Sequence, residues 1–173
     1  MFHEVRQTIL GEATHSLSFD SWQVAGPFDG VRGAGLEAAY PPEQGVDLHA
    51  SYRGKSGAVR WQRFAADDRG YLDLLQSSSD GDDVVCYAYR EFDSPAEQEA
   101  TVLLGSDDGA RLWVNGALVY THRAGRSAVP DEDAVPVRLK QGRNRLLLKV
   151  INEKGEHGFY LRVESPQALR AAD

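Results

Sequence analysis

The amino-acid sequence predicts an all-β fold, an antiparallel β-sandwich of the jelly-roll type. Three observations carry that expectation. Short runs of β-favouring residues recur along most of the chain, separated by clusters of Gly, Pro, Asp and Ser. Several runs alternate strictly, so that Val85, Tyr87 and Tyr89 face one way and Val84, Cys86 and Ala88 the other. The segment WVNGALV (113–119) sets Asn115-Gly116 between two apolar stretches, and that dipeptide readily takes the positive φ angles of a type I′ hairpin turn. About ten short strands without crossover helices close into a sandwich or barrel.

The expected strands follow in order. SWQVAGPF (21–28) and RWQRF (60–64) are rich in aromatic and β-branched residues, and GYLDLL (70–75) follows the turn signal DDRG. DVVCYAYREF (83–92) and EATVLLGS (99–106) are long apolar runs bounded by acids and glycines. ARLWV (110–114) and ALVYTHR (117–123) flank the Asn-Gly turn, and AVPVRL (134–139) leads to a second turn at Gly142. In NRLLLKVIN (144–152), Leu146, Leu148 and Val150 oppose Leu147, Lys149 and Ile151; in GFYLRVE (158–164), Phe159, Leu161 and Val163 oppose Tyr160 and Arg162. Helical signals are confined to the ends: one short helix in the first dozen residues, and another in SPQALRAAD with Ser165 as cap and Pro166 in the first turn. Residues 29–59 read as a long loop region. The expected organisation is an N-terminal arm (1–20), a sandwich (21–164) and a C-terminal tail (165–173).

Composition narrows the function classes. The 173 residues carry 19 Lys and Arg against 26 Asp and Glu, a formal charge of -7, which argues against binding a phosphate backbone and suits neutral ligands or hard cations. A single cysteine, Cys86, excludes an internal disulfide and a cysteine metal cluster, and its apolar surroundings predict a small core residue. No apolar stretch is long enough to insert in a membrane, and the N-terminus lacks the basic and long apolar regions of a signal peptide. None of the five histidines stands in a metal-binding spacing, and no phosphate loop, dinucleotide motif or Ser-His-Asp arrangement stands out.

The densest stretch is GSDDGARLWVNG (105–116). Asp107 and Asp108 together offer the oxygens a hard cation such as calcium takes, or else one of them bonds nearby amides in a plain turn. Catalysis by the pair is disfavoured, because neighbours on a strand point to opposite faces whereas glycosidase carboxylates flank the bond at about 5–10 Å. PDEDAVP (130–136) adds Asp131 and Asp133, either further calcium ligands or a solvated acidic loop. Arg126, beside His122 and Arg123, either contacts an acidic sugar or is solvated. Trp113 is a flat ring on the strand face opposite Leu112 and Val114, suited to stacking on a pyranose or to packing under a loop.

YREF (89–92), SDDGARLWVNGALV (106–119), VRLKQGRNRLLLKVIN (137–152) and GFYLRV (158–163), in that order, resemble the galactose-binding-like jelly-roll domains that accompany glycoside hydrolases and polysaccharide lyases. SDDGARLWVNG is also similar to the matching stretch of protective-antigen-like lectin domains. In the sugar-binding members of that family a consecutive aspartate pair holds a calcium ion that coordinates sugar hydroxyls, with an asparagine from a nearby loop. That resemblance implies calcium at Asp107 and Asp108 with Asn152 as a partner. These resemblances imply a non-catalytic carbohydrate-binding or accessory module of a larger extracytoplasmic protein, contacting glycans and neighbouring domains. The alternative is a structural or protein-interaction sandwich that binds no sugar.

Overall fold

The computed structural model describes residues 14–77 and 81–173; the helix expected in the first dozen residues lies outside them. Fourteen strands are described: β1 (His15–Ser18), β2 (Ser21–Asp29), β3 (Ser51–Arg53), β4 (Ala58–Arg60), β5 (Gln62–Ala65), β6 (Tyr71–Asp73), β7 (Val84–Ser94), β8 (Gln98–Asp107), β9 (Ala110–Val114), β10 (Ala117–His122), β11 (Asp133–Leu139), β12 (Gly142–Asn152), β13 (Gly158–Ser165) and β14 (Arg170–Ala171). Two 3-10 turns accompany them, Pro41–Gln44 and Leu74–Ser77.

Twelve of these strands form the two antiparallel layers of a β-sandwich, and β3 and β4 pair only with each other. The five-stranded sheet runs β1-β13-β8-β11, with β6 also on β13. The seven-stranded sheet runs β10-β9-β12-β7-β2-β5, with β14 also on β7. From β7 onward the chain passes back and forth between the layers, which is why short turns suffice and no helix is needed. β7 and β12 pair over eleven residues, from Gly142↔Ser94 to Asn152↔Val84, and form the middle of the larger sheet.

Alternation fills two apolar clusters rather than one. Between the sheets lie Trp22, Cys86, Ala88, Phe92, Leu112, Leu146, Leu148 and Val150 from one layer against Val102, Leu104, Val137, Phe159, Leu161 and Val163 from the other. Cys86 is buried there as expected, and burial pushes its thiol up to about 12, so it is a packing residue and not a nucleophile. The opposite face of the larger sheet is apolar as well: Ala25, Val85, Tyr87, Tyr89 and Leu147 pack with Phe28, Val59 and Trp61, and Trp113 and Tyr40 lean on them. Residues 30–60 cover this face. The expected long loop region is therefore a lid on the sheet, held by the 41–44 turn and the β3-β4 hairpin.

Two other expectations change. β1 pairs with β13 through Leu17↔Val163, so residues from His15 onward belong to the sandwich and not to an arm. The C-terminal residues form no helix. Gln98 Oε1 accepts the Gln167 amide at 2.9 Å, Arg90 Nη2 donates to the Ala172 carbonyl at 2.8 Å, and β14 pairs with Asp93 and Phe92 of β7. Hydrogen bonds to β7 and to Gln98 replace the few intrahelical ones a nine-residue tail could make.

Candidate functional site

The aspartate doublet sits where β8 leaves its sheet. Asp107 is the last residue of β8 and pairs with Gly158 of β13; the peptide bond to Asp108 is cis. Strand alternation ends at Asp107, and the Asp108 carboxyl stands close enough to act on that of Asp107. Asp107 is 7% exposed. Burial, the hydrogen bond with Asp108, and the charges of Asp108 and Glu156 push its pKa up to about 7.

Asp108 ties three segments together. Its Oδ1 accepts the Arg126 amide at 3.1 Å and its Oδ2 the Glu153 amide at 3.0 Å. Its own amide donates to the Ile151 carbonyl at 2.8 Å, and its carbonyl accepts from Ser106 Oγ at 2.8 Å. The Arg126 guanidinium then reaches the Ser106 carbonyl through Nε at 3.1 Å and Asp133 Oδ2 through Nη2 at 2.6 Å; the Tyr120 hydroxyl donates to the same Asp133 oxygen. Burial works against the Asp133 carboxylate, but the hydrogen bonds from Arg126 and Tyr120 outweigh it and its pKa is lowered. A Cβ on Gly105 would stand 1.7 Å from the Val129 carbonyl oxygen, so only glycine lets this loop lie against β8.

The structure thus brings Asp107, Asp108, Arg126 and Asp133 into one cross-linked corner. It places the other expected site residues elsewhere. Asp131 pairs in a bidentate way with Arg162 on the outer face of the smaller sheet, at 2.9 Å for both bonds. Asn152 is buried; its Nδ2 donates to the carbonyls of Gly81 (2.5 Å) and Gly155 (3.1 Å). Trp113 lies on the outer face of the larger sheet, toward the opposite end of β9.

A calcium ion takes about six to eight oxygens. Both oxygens of Asp108 and Asp131, and Oδ2 of Asp133, already accept protein donors, and arginines occupy the cationic positions. Among the described residues no three His, Cys, Asp or Glu gather in a way that would hold a metal. The donor set of Asp107, Asp108, Asp131 and Asp133 does not fit a calcium cage. His157, beside this corner, is buried; burial holds its pKa down at about 4, and its Nε2 lies 3.0 Å from the Val150 carbonyl, which makes it a neutral donor.

A second locality was not legible in the sequence. Lys149, in the middle of β12, is 0% exposed. Its Nζ donates to the carbonyls of Leu36 (3.0 Å) and Ala38 (2.6 Å) and to Glu43 Oε2 (2.7 Å), and it lies 5.0 Å from the Tyr40 ring centre. The Tyr87 hydroxyl donates to the same Glu43 oxygen. This latch holds the 41–44 turn above the sheet and leaves beside it an open cleft of about 280 Å³, bordered by Glu43, Gln44, Val46, Trp113, Arg145 and Leu147. The one sequence signal was a lysine inside an apolar strand, which is buried only when paired.

No known protein-family profile and no curated protein sequence matches the chain. Its fold is similar to part of several solved glycoside hydrolases. These include a GH2 β-galacturonidase from Eisenbergiella tayi (14% identity, TM-score 0.52, 91% of this chain and 25% of that one). A β-glucuronidase from an uncultured Clostridium sp. matches at 14% identity and a TM-score of 0.54 over 90% of this chain and 30% of that one. For the β-glucuronidase of Ruminococcus gnavus the figures are 12%, 0.54, 90% and 29%. At such identity the likeness is one of fold. The chain spans about a quarter to three tenths of the enzymes it matches.

Proposed function

We propose that this chain is a non-catalytic accessory domain that contacts carbohydrate and works beside the other domains of a larger, extracytoplasmic polysaccharide-acting or surface protein. The supporting observation is the match of nearly the whole chain to a fraction of glycoside hydrolase chains. The doublet supports a non-catalytic role, because Asp108 is spent on backbone amides and Asp107 is buried beside it. In this proposal the acidic corner is a cross-link that needs no calcium. Glycan-array and affinity-gel binding of the intact chain, with calcium and with EDTA, tests it. We expect retention on at least one glycan and a melting temperature within about 1 °C in the two conditions. Binding to no glycan sinks the carbohydrate role, and loss of binding together with a drop in melting temperature in EDTA sinks the calcium-free corner.

A structural or protein-interaction role is the second reading, favoured by the edge of the larger sheet. β10 is its end strand and exposes Ala117, Leu118 and Val119 consecutively, with Leu118 49% exposed. An apolar edge of this kind pairs with other polypeptide unless covered.

A further inference from the structure

The cleft beside the Lys149–Glu43 latch has a floor made by strand register. Trp113 of β9 is the cross-strand partner of Leu147 of β12, which is in turn the partner of Tyr89 of β7. All three face outward and form one apolar row across three strands. Arg145, two residues before Leu147, lies on the same face next to that row and is exposed, as is Gly116 at the hairpin turn. The wall is the segment Pro42 to Val46. Its acid is committed: Glu43 is paired with Lys149 at 2.7 Å and accepts the Tyr87 hydroxyl. Arg145 faces Glu91 across the β12-β7 ladder, and Glu91 accepts both Arg143 and the Tyr89 hydroxyl. Glu43 is therefore neutralised within the protein, and Glu91 stands between Arg143 and Arg145. What remains toward solvent is the half-buried indole of Trp113 with polar groups at the rim, Gln44 and Arg145.

We propose that this cleft binds one pyranose unit of an uncharged glycan, its C–H face stacked on Trp113 and its hydroxyls hydrogen-bonded by Arg145 and Gln44. The proposal rests on the carbohydrate-contacting role above and assigns that role to a place the aspartate doublet does not share. A flat apolar ring meets the C–H face of the sugar, while rim donors and acceptors satisfy hydroxyls that would otherwise lose their water. A volume of about 280 Å³ sits just below the range of drug-sized pockets, roughly 300–1,000 Å³, and suits a single sugar ring. A net charge of -7 gives a polyanion no general attraction to the molecule.

The test is titration of the intact chain with cellobiose, xylobiose, mannobiose and galactobiose, with digalacturonate as the charged comparison, followed by intrinsic tryptophan fluorescence and calorimetry. Trp22 and Trp61 are buried, so the signal reports Trp113. We expect a saturable change with at least one neutral disaccharide, and an affinity loss of about tenfold or more in Trp113→Ala. Trp113 also packs on the outer cluster, so Gln44→Trp supplies the second variant: it fills the mouth from an exposed position and should abolish binding with the melting temperature unchanged. Neutral-sugar binding that survives both variants overturns this site and leaves the carbohydrate role standing. Binding of digalacturonate alone overturns the neutral class. Binding of no sugar overturns the carbohydrate role and this site together.

Discussion

Asp108 and Asp107 are neighbours with opposite assignments. Asp108 is a charged staple whose two amide partners lie 18 and 45 residues away along the chain. Its replacement by Ala removes both bonds, of which the Glu153 one is exposed and the Arg126 one part-buried, and a bond of that kind is worth about 0.5–1.5 kcal/mol. We expect Asp108→Ala to lower stability by roughly 1–3 kcal/mol in chemical denaturation, with Asp108→Asn recovering part of it. Asp107 behaves the other way. Its folded pKa of about 7 stands above the ordinary 3.8, so between those values the native chain holds a proton that the unfolded chain has released. Stability from this group is present at pH 4, falls as pH rises through that window, and is gone above pH 7. Asp107→Asn removes the effect, so its melting temperature should exceed the parent's at pH 8 by an amount worth about 1–2 kcal/mol and match it near pH 4. An equal gap at both values would exclude the shared proton. The doublet was legible in the sequence as a pair of acids at a glycine turn. Its partners were not, because they arrive from remote loops that no local pattern ties to residue 108.

At the scale of elements, the strands were legible because burial on one face enforces a period of two. The expected runs 110–114, 134–139 and 144–152 coincide with β9, β11 and β12 to within about two residues. The hairpin turn followed from chemistry as local as the Asn-Gly dipeptide: Asn115 has φ 52° and Gly116 φ 84°. Residues 29–59 were not legible, since what orders them comes from remote parts of the chain, above all the buried Lys149, more than a hundred residues on, bonded to Leu36, Ala38 and Glu43. Removing one member of a buried ion pair strands the other, at a cost of about 3–5 kcal/mol, whereas replacing both by apolar groups is often close to neutral. We therefore expect Glu43→Ala to cost about 3–5 kcal/mol and the double change Glu43→Leu with Lys149→Met to recover most of it. A double-mutant cycle by urea denaturation measures the coupling; additive single effects would show that the latch holds nothing.

For the whole molecule, two apolar layers of unequal security meet at the larger sheet. The inner one is enclosed by strands on both sides, and β7 and β12, paired over eleven residues, have a further strand on each outer flank. The outer layer is closed by residues 30–60, whose regular structure is a 3-10 turn and two three-residue strands paired only with each other. A segment of that kind opens without breaking the ladders beneath it, because its ties are side-chain bonds and a few isolated backbone ones: the Lys149–Glu43 pair, the Trp61 Nε1 donation to the Tyr52 hydroxyl at 3.0 Å, the Arg111–Glu37 bridge at 2.6 Å, and the amides of Gly30 and Lys55 on the Asp83 and Pro27 carbonyls. Local opening of this sort costs less free energy than global unfolding and appears in amide exchange as a separate cooperative unit. In native-state hydrogen exchange we expect amides of β7, β12 and β13 to exchange only through global unfolding, with protection that falls linearly with denaturant. The amides of Lys55, Gly54 and Ala38, bonded to Pro27, Gly57 and Ala34 carbonyls, should exchange at a free energy lower by about 2 kcal/mol or more. Glu43→Ala should speed the second group and leave the difference between β7 and global unfolding unchanged. Equal protection in both groups would mean that the lid and the sandwich unfold as one body.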